Sequence, residues 1–113
     1  MATSDRVRED GTLTVRVEPD GEDLLVRAHG ELDLANANLL EEELRRAIGG
    51  DAPGVVLDLS DVTFIDSAGL RVLLSMARHS LRNGGRLCLL RGSSPVDRAI
   101  GVAGVEDSLP LAD

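Results

Sequence analysis

Aromatic side chains are almost absent from this sequence, which has one Phe and no Tyr or Trp among 113 residues. Stacking platforms for nucleotide bases and aromatic cages for cations need the faces of such rings, so both kinds of site are nearly excluded. Lysine is missing altogether, because all 12 basic residues are Arg. The chain therefore has no side-chain amine for Schiff-base chemistry and no lysine for a nucleotide-binding P-loop.

Cysteine, long apolar runs and positive charge are also scarce. Cys88 is the single cysteine and can form neither an internal disulfide nor a thiolate zinc cage, which fits a reducing compartment. No run approaches the roughly 18 apolar residues of a membrane-spanning helix, and residues 1–11 lack the apolar stretch of a signal peptide. The net charge of −8 repels phosphate backbones. We expect one acidic, cytoplasmic domain that binds neither nucleic acid nor a membrane.

The aliphatic residues that dominate the 42% hydrophobic content follow regular patterns. Over residues 13–17 apolar and polar side chains alternate as in a half-buried strand, and a turn at residues 19–21 leads to a second strand at residues 24–30. Residues 1–10 alternate in charge and have almost nothing to bury. We therefore predict a flexible N-terminal tail there, followed by one domain over residues 11–113.

Two segments carry apolar residues at the 3.6-residue period of a helix packed on a core. The first has Asn36 as its predicted N-cap, and its core face consists of Ala37, Leu40, Leu44, Ala47 and Ile48. Its opposite face, which carries the acidic residues 41–43, is predicted to be solvated. The second helix is predicted from about Ser67 to Arg82, with a core face that consists of Leu70, Leu73, Leu74, Ala77 and Leu81.

The remaining patterns predict an α/β fold. Apolar runs at residues 55–59 and 86–91 are typical of strands, the first of them covered on both faces. A last short helix is predicted to begin with Ser94 as its N-cap, and residues 109–111 could add a brief edge strand. The order ββαβαβα(β) predicts a mixed sheet of four to five strands with helices packed on it.

Candidate catalytic and metal-ligating side chains are few and scattered. Neither His29 nor His79 has metal-ligand spacing to another His or to Cys88, so we interpret both as solvated and the thiol as buried and unreactive. The consecutive acids at residues 41–43 point around a helix and cannot converge on one cation. We predict no metal site and no cofactor.

Residues 58–70 lead from the central strand into the second helix, at the edge where ligand and partner sites of open α/β sheets collect. Ser67 lies where the helix begins, so we expect its hydroxyl near unpaired backbone N–H groups. Gly69 lets another group approach the backbone closely. On these grounds alone an ordinary helix cap is the simpler interpretation of Ser67. A catalytic serine is disfavoured, because no histidine lies nearby in the sequence and the G-x-S-x-G elbow is absent.

The string VTFIDSAGL at residues 62–70 resembles the signature of the anti-sigma factor antagonists, the STAS domain family. The string GELD at residues 30–33 matches a second recurrent motif of that family, and Gly84-Gly85 and Ser94-Pro95-Val96 match further positions. The resemblance extends over about residues 12–111 and implies a single STAS-type domain. Many members have a further C-terminal helix, which here is expected to be short or missing.

The resemblance implies a role in bacterial signalling, in which an antagonist binds an anti-sigma factor and so releases a sigma factor for transcription, for example in a stress response. That anti-sigma factor is a serine kinase of the histidine-kinase-like ATPase fold. It phosphorylates the motif serine, here Ser67, and the phosphorylated antagonist then dissociates, which is the partner switch. A serine phosphatase restores the serine. The resemblance therefore implies that the chain is a kinase substrate and no enzyme. The implied partner-binding residues are Asp33, Asp66, Ser67, Ala68, Gly69 and Arg71. We expect a monomer or a weak dimer.

Two other functions stay open at this point. A STAS domain can also act as a scaffold or regulatory subunit in a stress-signalling or transporter complex, without control of a sigma factor. A small enzyme or nucleotide-binding domain is the third possibility, and the missing Gly-rich phosphate loop, lysines and clustered histidines speak against it.

Overall fold

A computed structural model describes residues 6–90 and 92–112 of the chain. Its elements are β1 (Arg6–Asp10), β2 (Leu13–Asp20), β3 (Asp23–Leu32), α1 (Ala37–Ile48), β4 (Val55–Ile65), α2 (Ser67–Arg82), β5 (Leu87–Leu90) and α3 (Ser94–Ala103), followed by a 3₁₀ turn, Glu106–Ser108. The predicted α/β class, the mixed sheet and the predicted order of elements are confirmed, with β1 added in front.

The five strands form one sheet in the order β1-β2-β3-β4-β5. The strands β1, β2 and β3 are antiparallel to one another, whereas β3, β4 and β5 are parallel. The helices α1 and α2 connect the parallel strands and pack against each other, so both lie on the same face of the sheet. As a result, β3 and β4 end, and α1 and α2 begin, at one edge of the sheet.

The core-facing side of α2 is offset by one residue from the predicted side. Its buried residues are Gly69, Val72, Leu73, Met76, Ala77 and Ser80. Leu81, which was predicted to face the core, is 76% exposed. An offset of one residue turns a helix by about 100°. The sequence pattern concealed the true face because a glycine and a serine occupy two of its core positions.

β4 is longer than predicted, because it continues from Leu59 to Ile65 where a loop was expected. Its second half pairs in parallel with the end of β3, and register shifts after Arg27 and after Gly30 accommodate the irregular pairing. Exposed polar residues at positions 60, 61 and 63 hid this strand from a search for apolar runs. The extension carries the chain directly to Asp66 and the start of α2.

The predicted flexible tail is wrong for residues 6–10, which form the edge strand β1 and pair with β2; residues 1–5 lie outside the described residues. Arg6 and Arg8 of this strand donate hydrogen bonds to the carboxylate of Glu43 on α1, over N–O distances of 2.9–3.2 Å. The Glu43 side chain is fully buried, so the predicted solvated face is also wrong at this position. The segment looked like a tail because of its charged residues, and two of these, Arg6 and Arg8, bind it to α1.

Burial alone would raise the pKa of Glu43, but the hydrogen bonds from Arg6 and Arg8 outweigh it and hold the pKa below the ordinary value of 4.5. Because the folded pKa is the lower one, this group stabilises the fold fully above about pH 4.5, and the contribution is lost as the pH falls through the folded pKa.

We expect Glu43→Gln to lower the free energy of unfolding by about 1.5 to 3 kcal/mol at pH 7, the range for hydrogen bonds to charged groups. The difference from the unmodified chain should shrink below pH 4.5, which urea unfolding at a series of pH values will measure. Glu42→Gln is the matched control, because Glu42 also binds Arg8 but its side chain is 59% exposed. Equal losses for the two variants, or a gap that does not close in acid, would contradict this account.

The C-terminal part follows the prediction with two local corrections. Ser93, not Ser94, is the N-cap of α3, and its hydroxyl oxygen accepts a hydrogen bond from the Val96 N–H at 3.3 Å. The brief edge strand is reduced to one parallel bridge between Leu89 and Leu111. A 3₁₀ turn, Glu106–Ser108, connects α3 to this bridge. Within the described ranges, none of the helices has both the length and the apolar character needed to cross a bilayer.

Candidate functional site

Two chain segments meet at the sheet edge where α1 and α2 begin. One is the turn at residues 33–36 between β3 and α1, and the other comprises residues 66–69 at the start of α2; together we call them the Ser67 edge. The backbone N–H of Asp66 donates to the Leu32 carbonyl at 3.2 Å. The backbone N–H of Leu34 donates to the Asp66 carboxylate at 3.1 Å. The start of α2 and the end of β3 with its following turn are therefore joined by hydrogen bonds, with one donor on each side.

Asp66 is the centre of this arrangement. One of its carboxylate oxygens, Oδ1, accepts the backbone N–H groups of Ala68 and Gly69 at 2.9 and 3.1 Å, which makes Asp66 the N-cap of α2. The other, Oδ2, accepts the Leu34 N–H. The prediction that the Ser67 hydroxyl lies near unpaired N–H groups is therefore wrong for Ala68 and Gly69, because the preceding carboxylate already takes them. One residue thus caps a helix and positions a turn.

The turn at residues 33–36 has a hydrogen-bond network of its own. The Asp33 carboxylate accepts the Ala35 N–H at 3.0 Å, and the Asp33 carbonyl accepts the Ala37 N–H at 2.8 Å. Asn36 is the N-cap position of α1 as predicted, yet its side chain makes no cap hydrogen bond. It is buried instead, accepting the Asp33 N–H and donating to the Glu31 carbonyl, both at 2.9 Å. These bonds fix the turn in one conformation.

Gly69 is a packing residue. It is buried, and a Cβ at this position would lie 2.8 Å from Cγ of Leu32 and 2.9 Å from Cγ1 of Ile65. The predicted close approach to its backbone therefore exists, but the approaching groups belong to the chain itself. Because Gly69 has no side chain, the start of α2 packs directly against the ends of β3 and β4, and this contact fixes the position of the neighbouring residues.

The surface of the Ser67 edge is formed by side chains that the hydrogen bonds leave outside. Ser67, Leu34 and Arg71 are exposed, whereas Asp33 and Ala68 are half-buried. A groove of about 200 Å³ runs between α1 and α2, lined by Leu34, Ala37, Asn38, Glu41, Ala68, Arg71, Val72 and Ser75. Leu34 is 77% exposed and was missed by sequence reasoning, because nothing in the pattern distinguishes it from a core leucine. The structure thus brings Asp33, Asp66, Ser67 and Ala68 together, with Arg71 one turn further along α2.

The other candidate residues lie elsewhere. His29 is exposed on β3, opposite Thr14 and Asp61 of the neighbouring strands, and His79 is half-buried on α2. Cys88 is half-buried rather than buried as predicted. Across the described residues, no three His, Cys, Asp or Glu side chains are grouped as metal ligands. What the Ser67 edge offers is a serine hydroxyl presented to solvent on a rigid support.

Comparisons with known proteins agree with the resemblance of the motifs. The family model described as the STAS domain matches residues 14–113. The anti-sigma F factor antagonist of Paenibacillus polymyxa is 28% identical over 89% of this chain and 87% of its own length. The anti-sigma-B factor antagonist of Bacillus subtilis is 27% identical over 88% of this chain and 91% of its own. A crystal structure of an anti-sigma factor antagonist from Mycobacterium paratuberculosis superposes with a TM-score of 0.79, at 26% identity, over 88% of this chain and 85% of that one.

Proposed function

The chain belongs to the STAS domain family, and from this membership we propose that it is an anti-sigma factor antagonist switched by phosphorylation of Ser67. Its Ser67 edge binds an anti-sigma factor that is itself a serine kinase, and this binding releases a sigma factor. The kinase then phosphorylates Ser67, and the modified chain dissociates. The proposal places the protein in the cytoplasm and makes it a docking protein and a kinase substrate rather than an enzyme.

The observation that carries the proposal is the exposed Ser67 on an edge held rigid by Asp66. An edge that is ordered before binding loses little conformational entropy when a partner docks on it. Asp33, Ala68 and Arg71 lie on or beside the same edge of the sheet and form the proposed contact surface with Ser67. In this proposal Asp66 and Gly69 position the surface, because the carboxylate of one is occupied by N–H groups and the other is buried.

The proposed phosphorylation needs ATP and a base. The Ser67 hydroxyl oxygen attacks the γ-phosphorus, the new O–P bond forms as the bond to the β,γ-bridging oxygen breaks, and ADP leaves. The hydroxyl proton passes to a base that the kinase supplies. In the reverse direction a phosphatase directs water to the phosphorus, which releases inorganic phosphate and restores the hydroxyl.

The test is to incubate the full chain with kinase-type anti-sigma factors and ATP, and to map the phosphate by mass spectrometry. We expect one phosphate per chain, on Ser67, and none on Ser67→Ala. Ser94→Ala is the matched control and should be labelled like the unmodified chain, because Ser94 is also an exposed serine at the first position of a helix.

Two results would overturn the proposal. Phosphate label that persists in Ser67→Ala would rule out Ser67 as the phosphorylation site. If no kinase-type anti-sigma factor of the same cell forms a complex with the chain or labels it, this class of partner is ruled out. That result would favour a scaffold or regulatory-subunit role instead.

A further inference from the structure

Three backbone N–H groups at the start of α2, those of Ala68, Gly69 and Leu70, are already occupied. A phosphate at a helix N-terminus is ordinarily bound by such groups. Here Asp66 Oδ1 takes the N–H groups of Ala68 and Gly69, and the Leu70 N–H donates to the Asp66 carbonyl at 3.0 Å. A phosphate on Ser67 therefore gains little from these three groups, and a side chain has to supply most of its counter-charge.

The charged groups around this end of α2 are mostly acidic. Asp66 is the N-cap of α2, Asp33 lies on the turn that is hydrogen-bonded to it, and Glu41 lines the groove from α1. Among the groove-lining side chains in the described part of the protein, Arg71 is the one cation. A phosphate placed here is repelled on two sides and attracted on one.

Arg71 has the position and the freedom to respond. It follows Ser67 by four residues on the same helix, a spacing that brings two side chains onto one face about 5–6 Å apart, with the anion N-terminal to the cation in the favourable order. Arg71 is exposed, and no acidic group of the described residues lies within 4.0 Å of its guanidinium. The guanidinium fork also matches the oxygen geometry of a phosphate.

We propose that Arg71 binds the phosphate of phosphorylated Ser67 within the same helix, an inference that rests on the proposed phosphorylation. In the unmodified chain Arg71 lines the groove and is available to the partner. In the phosphorylated chain it turns to the phosphate. Modification thus adds a negative charge to the Ser67 edge and withdraws its cation in the same event.

The test uses the full chain with phosphoserine installed at position 67 during translation, so that no kinase is required. The pKa of the second phosphate ionisation, about 6 for a free phosphoserine, is followed by ³¹P NMR titration at low salt. A nearby cation favours the dianion, so we expect Arg71→Gln to raise this pKa by about 0.2 to 0.4 and Arg71→Lys to retain most of the effect. Arg78→Gln is the control, because it removes the same charge from an exposed position about 16 Å from Ser67 along the axis of α2. It should change the phosphate pKa by less than about 0.1.

Equal changes for Arg71→Gln and Arg78→Gln would overturn the inference, as would a pKa that Arg71→Gln leaves unaltered. Both results would leave the proposed function standing, because that proposal depends on the kinase assay with the unmodified chain. Conversely, failure of the kinase to label Ser67 would not alter the titration of an installed phosphate. The two proposals therefore fail separately.

Discussion

Ser67→Asp is expected to lower the affinity of the chain for its kinase-type anti-sigma factor by about a hundredfold to a thousandfold, whereas Ser67→Ala keeps the affinity of the unmodified chain. A charge forced into a docked interface loses its hydration and meets unfavourable contacts, which together cost several kcal/mol. Each 1.4 kcal/mol is a factor of ten in the dissociation constant, so about 3 to 4 kcal/mol gives the expected range. Titration calorimetry measures the affinity, with the partner loaded with ADP so that Ser67 is not phosphorylated during the titration.

The control for this experiment is Ser94→Asp, which adds the same charge to an exposed serine at the first position of α3. It should bind the partner like the unmodified chain. If Ser67→Ala and Ser67→Asp bind equally well, a charge switch at this serine is ruled out.

The same variants should leave the fold almost unaltered. Ser67 is exposed, and substitutions at such positions generally change the free energy of unfolding by no more than about 0.5 kcal/mol. A negative charge at the start of a helix gains about 0.3–1 kcal/mol from the helix dipole. Repulsion from Asp33 and Asp66 offsets that gain. The proposed switch therefore acts on binding and leaves folding nearly untouched, which a comparison of thermal unfolding curves will check.

The parts of the fold that could be predicted are the elements whose buried face shows as a periodic pattern of apolar residues in the sequence. The period of α1 and the alternation of β2 each describe one face that must be buried, and both elements lie where they were expected. β1 could not be found this way, because Arg6 and Arg8 are stabilised by Glu43, which lies 35–37 residues further along the chain. A contact between residues so far apart in the sequence produces no periodic pattern.

The candidate site was predicted in its location but not in its construction. Asp66 and Ser67 are both good helix caps, and sequence alone does not tell which one accepts the N–H groups. The structure gives that role to Asp66 and so leaves the Ser67 hydroxyl outside the cap. The exposure of Leu34 follows from the bonds that hold the turn at residues 33–36, which only the folded chain brings together.

The two sequence motifs form one packing unit. Leu32, from the motif at residues 30–33, is fully buried, and its side chain fills the space beside Gly69 that a larger residue would occupy. The Leu32 carbonyl accepts the Asp66 N–H, so the same residue supports α2 through both its backbone and its side chain. Recurrence of the motifs together is therefore expected on physical grounds, since neither can hold the Ser67 edge without the other.

Gly30 is where that unit depends most on a single residue. Its backbone φ is +108°, and a Cβ at this position would lie 1.9 Å from the Thr12 carbonyl oxygen, so the backbones of β2 and β3 could not keep their spacing. The register shift between β3 and β4 that follows Gly30 then delivers Leu32 to the base of α2. A side chain at Gly30 would therefore disturb the pairing that positions the Ser67 edge.

We expect Gly30→Ala to lower the free energy of unfolding by about 3 to 5 kcal/mol, the sum of the strain of a positive φ and of the clash with backbone that cannot yield. Gly11→Ala and Gly21→Ala are controls without a clash, because both glycines have a positive φ in the left-handed α region (+62° and +64°) and no atom within 4 Å of an added Cβ. These controls should lose only about 1 kcal/mol each. Urea unfolding of the three variants measures the difference, and a loss at Gly30 no larger than at Gly11 would mean that the β2–β3 contact can relax and that the motif glycine is kept for its backbone conformation alone.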